Sequence, residues 1–165
     1  MLRKRVLRSG YSTGACAAAA AKAAAMLLLD AGARKRRSAR TIEIPFPDGS
    51  RVKFKAYGSG LDSQGHSAWA SVIKDAGDDP DVTNGAEIVA HVKVSPDLVI
   101  RGGRGVGVVT KPGLPVAVGD AAINPVPRAM IKEAVMEAIK ESENSSLSFE
   151  VIISVPRGEE LAKKT

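Results

Sequence analysis

Residues 15–29 read ACAAAAAKAAAMLLL. Alanine and leucine are the strongest helix formers, and nothing in the stretch breaks a helix. A helix is therefore expected from Ala15 to Ala31, with Gly32 placed to end it. It is apolar on nearly every face, with only Lys22 interrupting, so it reads as a helix buried inside a core. Ahead of it, Ser9–Gly14 is a polar turn in which Ser12 and Thr13 are N-cap candidates. A helix with no wet face needs other elements around it, and the rest of the chain must supply them.

Working outward, Thr41–Phe46 and Arg51–Tyr57 are short alternating segments joined by Pro47-Asp48-Gly49-Ser50, a strong hairpin turn. Ser67–Asp75, Glu87–Val94, a segment beginning at Leu98–Ile100, and Phe149–Val155 are further strand candidates. Ala129–Glu141 is the clearest amphipathic helix. Met130, Ile131, Ala134, Val135, Ala138 and Ile139 form one stripe, and Pro127 fits its first turn. Glu159–Lys164 looks like the opening of another helix. The strands come in a run between the two helices rather than alternating with them. That order predicts an α+β fold: a two-layer α/β sandwich with a mainly antiparallel or mixed sheet and two main helices. At 165 residues the chain fits a single domain, 1–165.

The single cysteine, Cys16, excludes an internal disulfide framework and a cysteine-based zinc site. It stands at a helix start, where a thiol can be activated, yet a packed core cysteine is the simpler reading. The N-terminal MLRKRVLRSG lacks the apolar run of a secretory signal. The Ala15–Leu29 stretch falls short of the roughly 20 residues that cross a bilayer. The expectation is a cytoplasmic chain without a membrane span. The net charge of +6 gathers at Arg3–Arg8 and Arg34–Arg40, but aromatic residues make up only 4% and none interleaves the second run, which argues against nucleic acid. His66 and His91 have no metal-ligand company and read as structural.

Four segments could carry chemistry. In Arg101–Gly113, glycines 102, 103, 105 and 107 allow close backbone approach, and Arg101, Arg104 and Lys111 add charge, which together suit an anion. Neither the phosphate-loop nor the dinucleotide fingerprint is present, and a bulged glycine hairpin is the plain alternative. Ser12-Thr13-Gly14 opens a helix whose free N–H groups suit a carboxylate or phosphate; simple capping explains it equally. Lys74–Gly85 holds Asp75, Asp78, Asp79 and Asp81, with Thr83 and Asn84 after them. These groups could hold a hard cation, accept from ribose hydroxyls or an amine, or form a solvated acidic turn. Ala121–Arg128 offers Asn124 as a cap or ligand contact and Arg128 as a carboxylate fork, although two prolines before a helix account for much of it.

Taken in order, LRSGYSTGACAAAAAKAA (7–24), KDAGDDPDVTNGAEI (74–88), GGRGVGVVTKPGL (102–114), VGDAAINPVPRAMI (118–131) and ISVPRGEELAKKT (153–165) resemble the cobalt-precorrin-5B C1-methyltransferase family of anaerobic cobalamin biosynthesis. The resemblance spans the chain. It implies methyl transfer from S-adenosylmethionine to C1 of a cobalt-containing corrinoid, cobalt-precorrin-5B, giving cobalt-precorrin-6A. The cobalt would belong to the substrate, so no protein-bound metal is expected. On this reading Arg101, Gly102, Gly103, Arg104, Gly105, Lys111, Asn124 and Arg128 hold the corrinoid's carboxylates. Ser12, Thr13, Gly14, Asp78, Asp79, Asp81, Thr83 and Asn84 meet the methyl donor. Members of the family run to about twice this length, so the chain is expected to be the N-terminal domain of a two-domain enzyme, partnered by a second domain or a further copy and inactive alone. A non-catalytic module for an anionic tetrapyrrole or nucleotide is the alternative.

Overall fold

The computed structural model describes residues 10–32, 41–77, 84–108, 110, 112–113, 117–143 and 146–156. Their elements run α1 (Thr13–Gly32), β1 (Thr41–Pro45), β2 (Arg51–Lys55), β3 (Gly58–Leu61), β4 (Ser67–Ile73), β5 (Glu87–Ser95), β6 (Val99–Gly102), α2 (Pro125–Glu141) and β7 (Ser148–Ser154). β1 and β2 form a separate hairpin, and the remaining strands form one sheet in the order β3-β4-β5-β7-β6. Every neighbouring pair is antiparallel except β6 and β7, which are parallel and joined through α2. The expected α+β architecture with two helices and a mixed sheet is what the chain adopts.

The core explains the alanines. Ala68, Ala70 and Val72 of β4, Ile88, Ala90 and Val92 of β5, and Phe149, Val151 and Ile153 of β7 are buried along one sheet face. α1 lies against β4 and β5, with α2 and the β1–β2 hairpin packed on its other sides. Residues Ala15–Ala21 are each at most 3% exposed, so no face of that helix is left wet. Small side chains let the layers approach closely enough to close around it. The α2 stripe is buried as its periodicity predicts. By length and composition Thr13–Ala31 could cross a membrane, contrary to the sequence estimate, but 72% of its apolar window is buried inside the fold.

Two differences from the sequence reading have local causes. α2 begins at Pro125, a turn earlier than Ala129, because prolines are compatible with the first turn, where N–H groups have no helical partner. β3 is an additional strand whose glycines hide it. The Trp69 indole covers it: a Cβ on Gly60 would come within 2.6 Å of the indole Nε1, and one on Gly58 within 3.0 Å of the ring.

The two helices run in the same direction. A Cβ on Gly14, at the start of α1, would lie 2.7 Å from Cβ of Pro127, at the start of α2. Further along, the Lys22 ammonium is 2.6 Å from the Glu137 carboxylate. Lys22, itself 4% exposed, also donates to the Glu43 carbonyl at 2.8 Å. Arg51 of β2 reaches both Glu43 and Glu137, so one ionic cluster ties α1, α2 and the hairpin together.

Candidate functional site

The register places the chemistry-bearing segments at one end of the sheet. Ile73 pairs with Glu87, Val89 with Ser154 and Gly102 with Ile153. The loop between β4 and β5, the glycine-rich segment after β6 and the segment after β7 therefore share that end. Both helix starts join them. The Tyr11 N–H donates to the Asp75 carbonyl at 2.8 Å, and Gly10 lies so close to Ala76 that a Cβ would sit 1.9 Å from its carbonyl carbon. α2 starts beside α1 through Gly14 and Pro127. The carboxyl ends of parallel strands facing a helix start are the usual ligand side of α/β units.

The glycine-rich segment is a strap laced to its neighbours. Gly103 N–H donates to the Ile153 carbonyl at 2.7 Å, Val155 N–H to the Arg104 carbonyl at 2.8 Å, and Ala122 N–H to the Gly107 carbonyl at 2.7 Å. Gly102 and Gly103 are required by the chain itself: a Cβ would come within 2.8 Å of Ala121 and 2.4 Å of the Ser154 hydroxyl respectively. Gly105 sits in the left-handed region at φ 77° and turns the strap. The close backbone approach anticipated for these glycines is thus made to Ala121 and Ser154. A bridge between Val108 and Ala121 closes the strap onto the segment leading into α2.

The cations differ in how far they are committed. Arg128 gives Nε to the Ile123 carbonyl at 2.8 Å, Nη2 to Ala121 at 3.2 Å and Nη1 to Ile100 at 3.5 Å. It braces β6 and the 121–123 turn against α2, where the sequence reading has it holding a carboxylate. No carboxylate among the described residues pairs with it there, so its charge still adds to that end. Arg101 donates to Glu150 at 2.8 Å, and Lys93 shares that carboxylate, holding it below the usual range. Arg104 is exposed and has no side-chain partner among the described residues. Asn124 is the N-cap residue of α2, exposed, with its side chain making no cap bond. Lys111 lies outside the described residues.

At the start of α1 the Ser12 hydroxyl accepts from the Ala15 N–H at 3.1 Å, so Ser12 caps the helix. Thr13 and Gly14 form its first turn. The Cys16 thiol is pushed up to about 11, chiefly by burial, so it stays protonated and inert. Asn84 accepts from the Ala76 N–H at 2.9 Å, which pins the acidic loop shut at its base. Asp78, Asp79, Asp81 and Thr83 lie outside the described residues. A cavity of about 420 Å³ opens beside this base, between Tyr11, Tyr57, Ile73 and Asp75. Sequence reasoning did not single out Tyr11 or Tyr57; the signal available for Tyr57 was an aromatic residue closing the alternating segment Arg51–Tyr57.

The arrangement offers the starts of both helices and two arginines, Arg104 and Arg128, at one end; Pro125 and Pro127 leave the α2 start with only the Val126 N–H, and the Arg101 guanidinium lies back along the sheet on Glu150. Such a set stabilises anions. The acceptors described there, Asp75 and Asn84, already receive backbone N–H groups at 2.8 Å and 2.9 Å. The end is therefore better supplied with groups for carboxylates than with groups for hydroxyls.

The model of the CbiD family matches residues 1–165. The chain is 52% identical, over its whole length, to a cobalt-precorrin-5B C(1)-methyltransferase of Geobacillus thermodenitrificans, and covers 43% of that protein. It is 49% identical to the protein of the same name in Geobacter metallireducens, with 99% of this chain and 44% of the relative aligned. A 1.9 Å crystal structure of a cobalamin biosynthesis protein (cbiD) from Archaeoglobus fulgidus is similar with a TM-score of 0.68 and 31% identity, over 99% of this chain and 49% of that one. The chain spans less than half the length of the curated relatives it matches.

Proposed function

The chain belongs to the CbiD family, and from that premise we propose that it works as the N-terminal domain of a cobalt-precorrin-5B C1-methyltransferase, gripping the corrinoid while a methyl group passes from S-adenosylmethionine to ring carbon C1. The observation that carries this reading is the convergence of both helix N-termini, the glycine-rich strap, Arg104 and Arg128 on one end of the sheet. A corrinoid intermediate bears many carboxylate side chains, and this end is built of groups that favour them.

The donor supplies an already activated methyl: the bond from sulfur to methyl breaks, its electron pair stays on sulfur, and the ring carbon forms the new bond, giving cobalt-precorrin-6A. No side chain of this domain needs to form a covalent bond. Arg104 and Asn124 supply carboxylate contacts, Arg101 joins them from its pair with Glu150, and Arg128 fixes the strap that presents them. Alignment of carbon, methyl and sulfur is the protein's main contribution, and correct positioning alone is worth several kcal/mol of barrier, on the order of 7–11 in well-oriented cases. The second half of the longer relatives completes the site, so residues 1–165 alone bind substrate without turning it over.

Calorimetry tests the reading. A corrinoid polycarboxylate is expected to bind the chain, more weakly as salt rises. Binding of a random oligonucleotide with a steep salt slope, and no response to the corrinoid, sinks it.

A further inference from the structure

β2 is the outer strand of its hairpin, and its free edge faces the cavity described above. Pro45 has no N–H, and the Phe46 N–H donates to the Ser50 carbonyl at 2.8 Å. Pairs alternate along an antiparallel ladder, so the doubly bonded ones are Ile44 with Val52 and Ile42 with Phe54. The N–H and C=O groups of Lys53 and Lys55 consequently point away from β1. No other strand among the described residues pairs with β2. Just beyond it the Tyr57 N–H donates to the Ser71 carbonyl at 2.8 Å, and the chain joins β4 as β3. β2 and β4 thus diverge as a fork, and the cavity of about 420 Å³ fills it, lined by Tyr11, Phe54, Lys55, Tyr57, Ile73 and Asp75 among others.

We propose that this fork is the adenosine pocket of the methyl donor, an inference that rests on the methyl-transfer reading. An outward-facing strand residue presents a carbonyl acceptor beside an N–H donor. Adenine presents the complement, an amino donor beside a ring-nitrogen acceptor. Tyr11, Tyr57 and Ile73 give the flat base apolar and aromatic surface, and the volume falls within the range of small-molecule sites, roughly 300–1,000 Å³. Asp75 lies on the rim, its carboxylate already receiving the Gly77 N–H at 2.8 Å. The fork also adjoins the start of α1 and the base of the acidic loop, the two segments that sequence reasoning assigns to the donor. Unpaired strand edges are ordinarily blunted or covered; here the base covers this one.

The test is a calorimetric titration of S-adenosylhomocysteine, adenosine and inosine into the chain and its variants Lys55→Pro, Lys55→Ala and Tyr57→Ala. Proline removes the outward N–H but no bond of the β1–β2 ladder, a position at which edge strands tolerate it. Lys55→Ala controls for the side chain. S-adenosylhomocysteine binds, and Lys55→Pro and Tyr57→Ala each weaken it about 5–10-fold, the loss of one hydrogen bond or one stacking surface, while Lys55→Ala changes it less than about 2-fold. Inosine, whose carbonyl replaces the amino donor, binds at least about 10-fold more weakly than adenosine. Equal binding of adenosine and inosine overturns the pocket without help from any variant. So does S-adenosylhomocysteine binding that is indifferent to Lys55→Pro and Tyr57→Ala, or absent while the corrinoid still binds; each leaves the methyl-transfer reading standing. Loss of both ligands overturns the reading itself.

Discussion

Glu137 serves two cations at once, the buried Lys22 and the half-exposed Arg51. Its carboxyl falls from the ordinary 4.5 to about 2, first through the Arg51 hydrogen bonds and then through Lys22. A lowered folded-state value means that the ionised form stabilises the fold. That contribution is complete above about pH 4.5 and fades as pH falls towards 2. Glu137→Gln is expected to cost about 2 kcal/mol at pH 7, because it strips a charge partner from a buried ammonium that keeps only a carbonyl. Denaturation curves recorded against pH should show the gap between wild type and variant closing below pH 4.5; a gap unchanged at pH 2.5 would contradict the assignment. Sequence reading saw Lys22 only as an interruption in an alanine run. Nothing in the order of residues reveals that positions 43, 51 and 137 meet position 22. The surroundings of Arg128 were hidden for a related reason: its charge was legible, but the three carbonyls around it belong to segments whose proximity depends on the strand order.

α1 was legible as a buried helix because no face of it could tolerate water, and α2 because its stripe has the helical period. β3 was not, since Gly58 and Gly60 give no strand signal and the residue that completes them, Trp69, lies on the neighbouring strand. The alanine content of α1 carries its own consequence. With β4 and β5 on one side and α2 on the other, Ala20 has no exposed surface and no room to gain any. Ala20→Leu should destabilise by about 1–3 kcal/mol or more through overpacking. Thermal unfolding measures it, and a variant as stable as the wild type would mean that the layers around α1 can part. Gly14→Ala should act differently, prising the two helix starts apart at Pro127, with a similar cost of about 1–3 kcal/mol.

On the scale of the molecule, the ordered segments were readable as a family resemblance, and their chemistry as anion-favouring, but their convergence was not. It follows from one antiparallel neighbour, β5, being inserted between β4 and β7, which turns the loops at 74–86 and 103–122 to the same end. That geometry separates two arginines that look alike in sequence. Arg128→Ala should lower stability by about 1–3 kcal/mol by leaving carbonyls without their donor. Arg104→Ala should leave the melting temperature nearly unchanged and weaken corrinoid polycarboxylate binding; the reverse pattern, in paired melting and titration experiments, would reassign both residues. The parallel course of α1 and α2 has a kinetic consequence as well. Two aligned helices add about half an elementary charge each at the same end and leave the opposite charge at the far end. An approaching polyanion is therefore turned before it touches the surface, so added salt should slow its association far more than it hastens its departure.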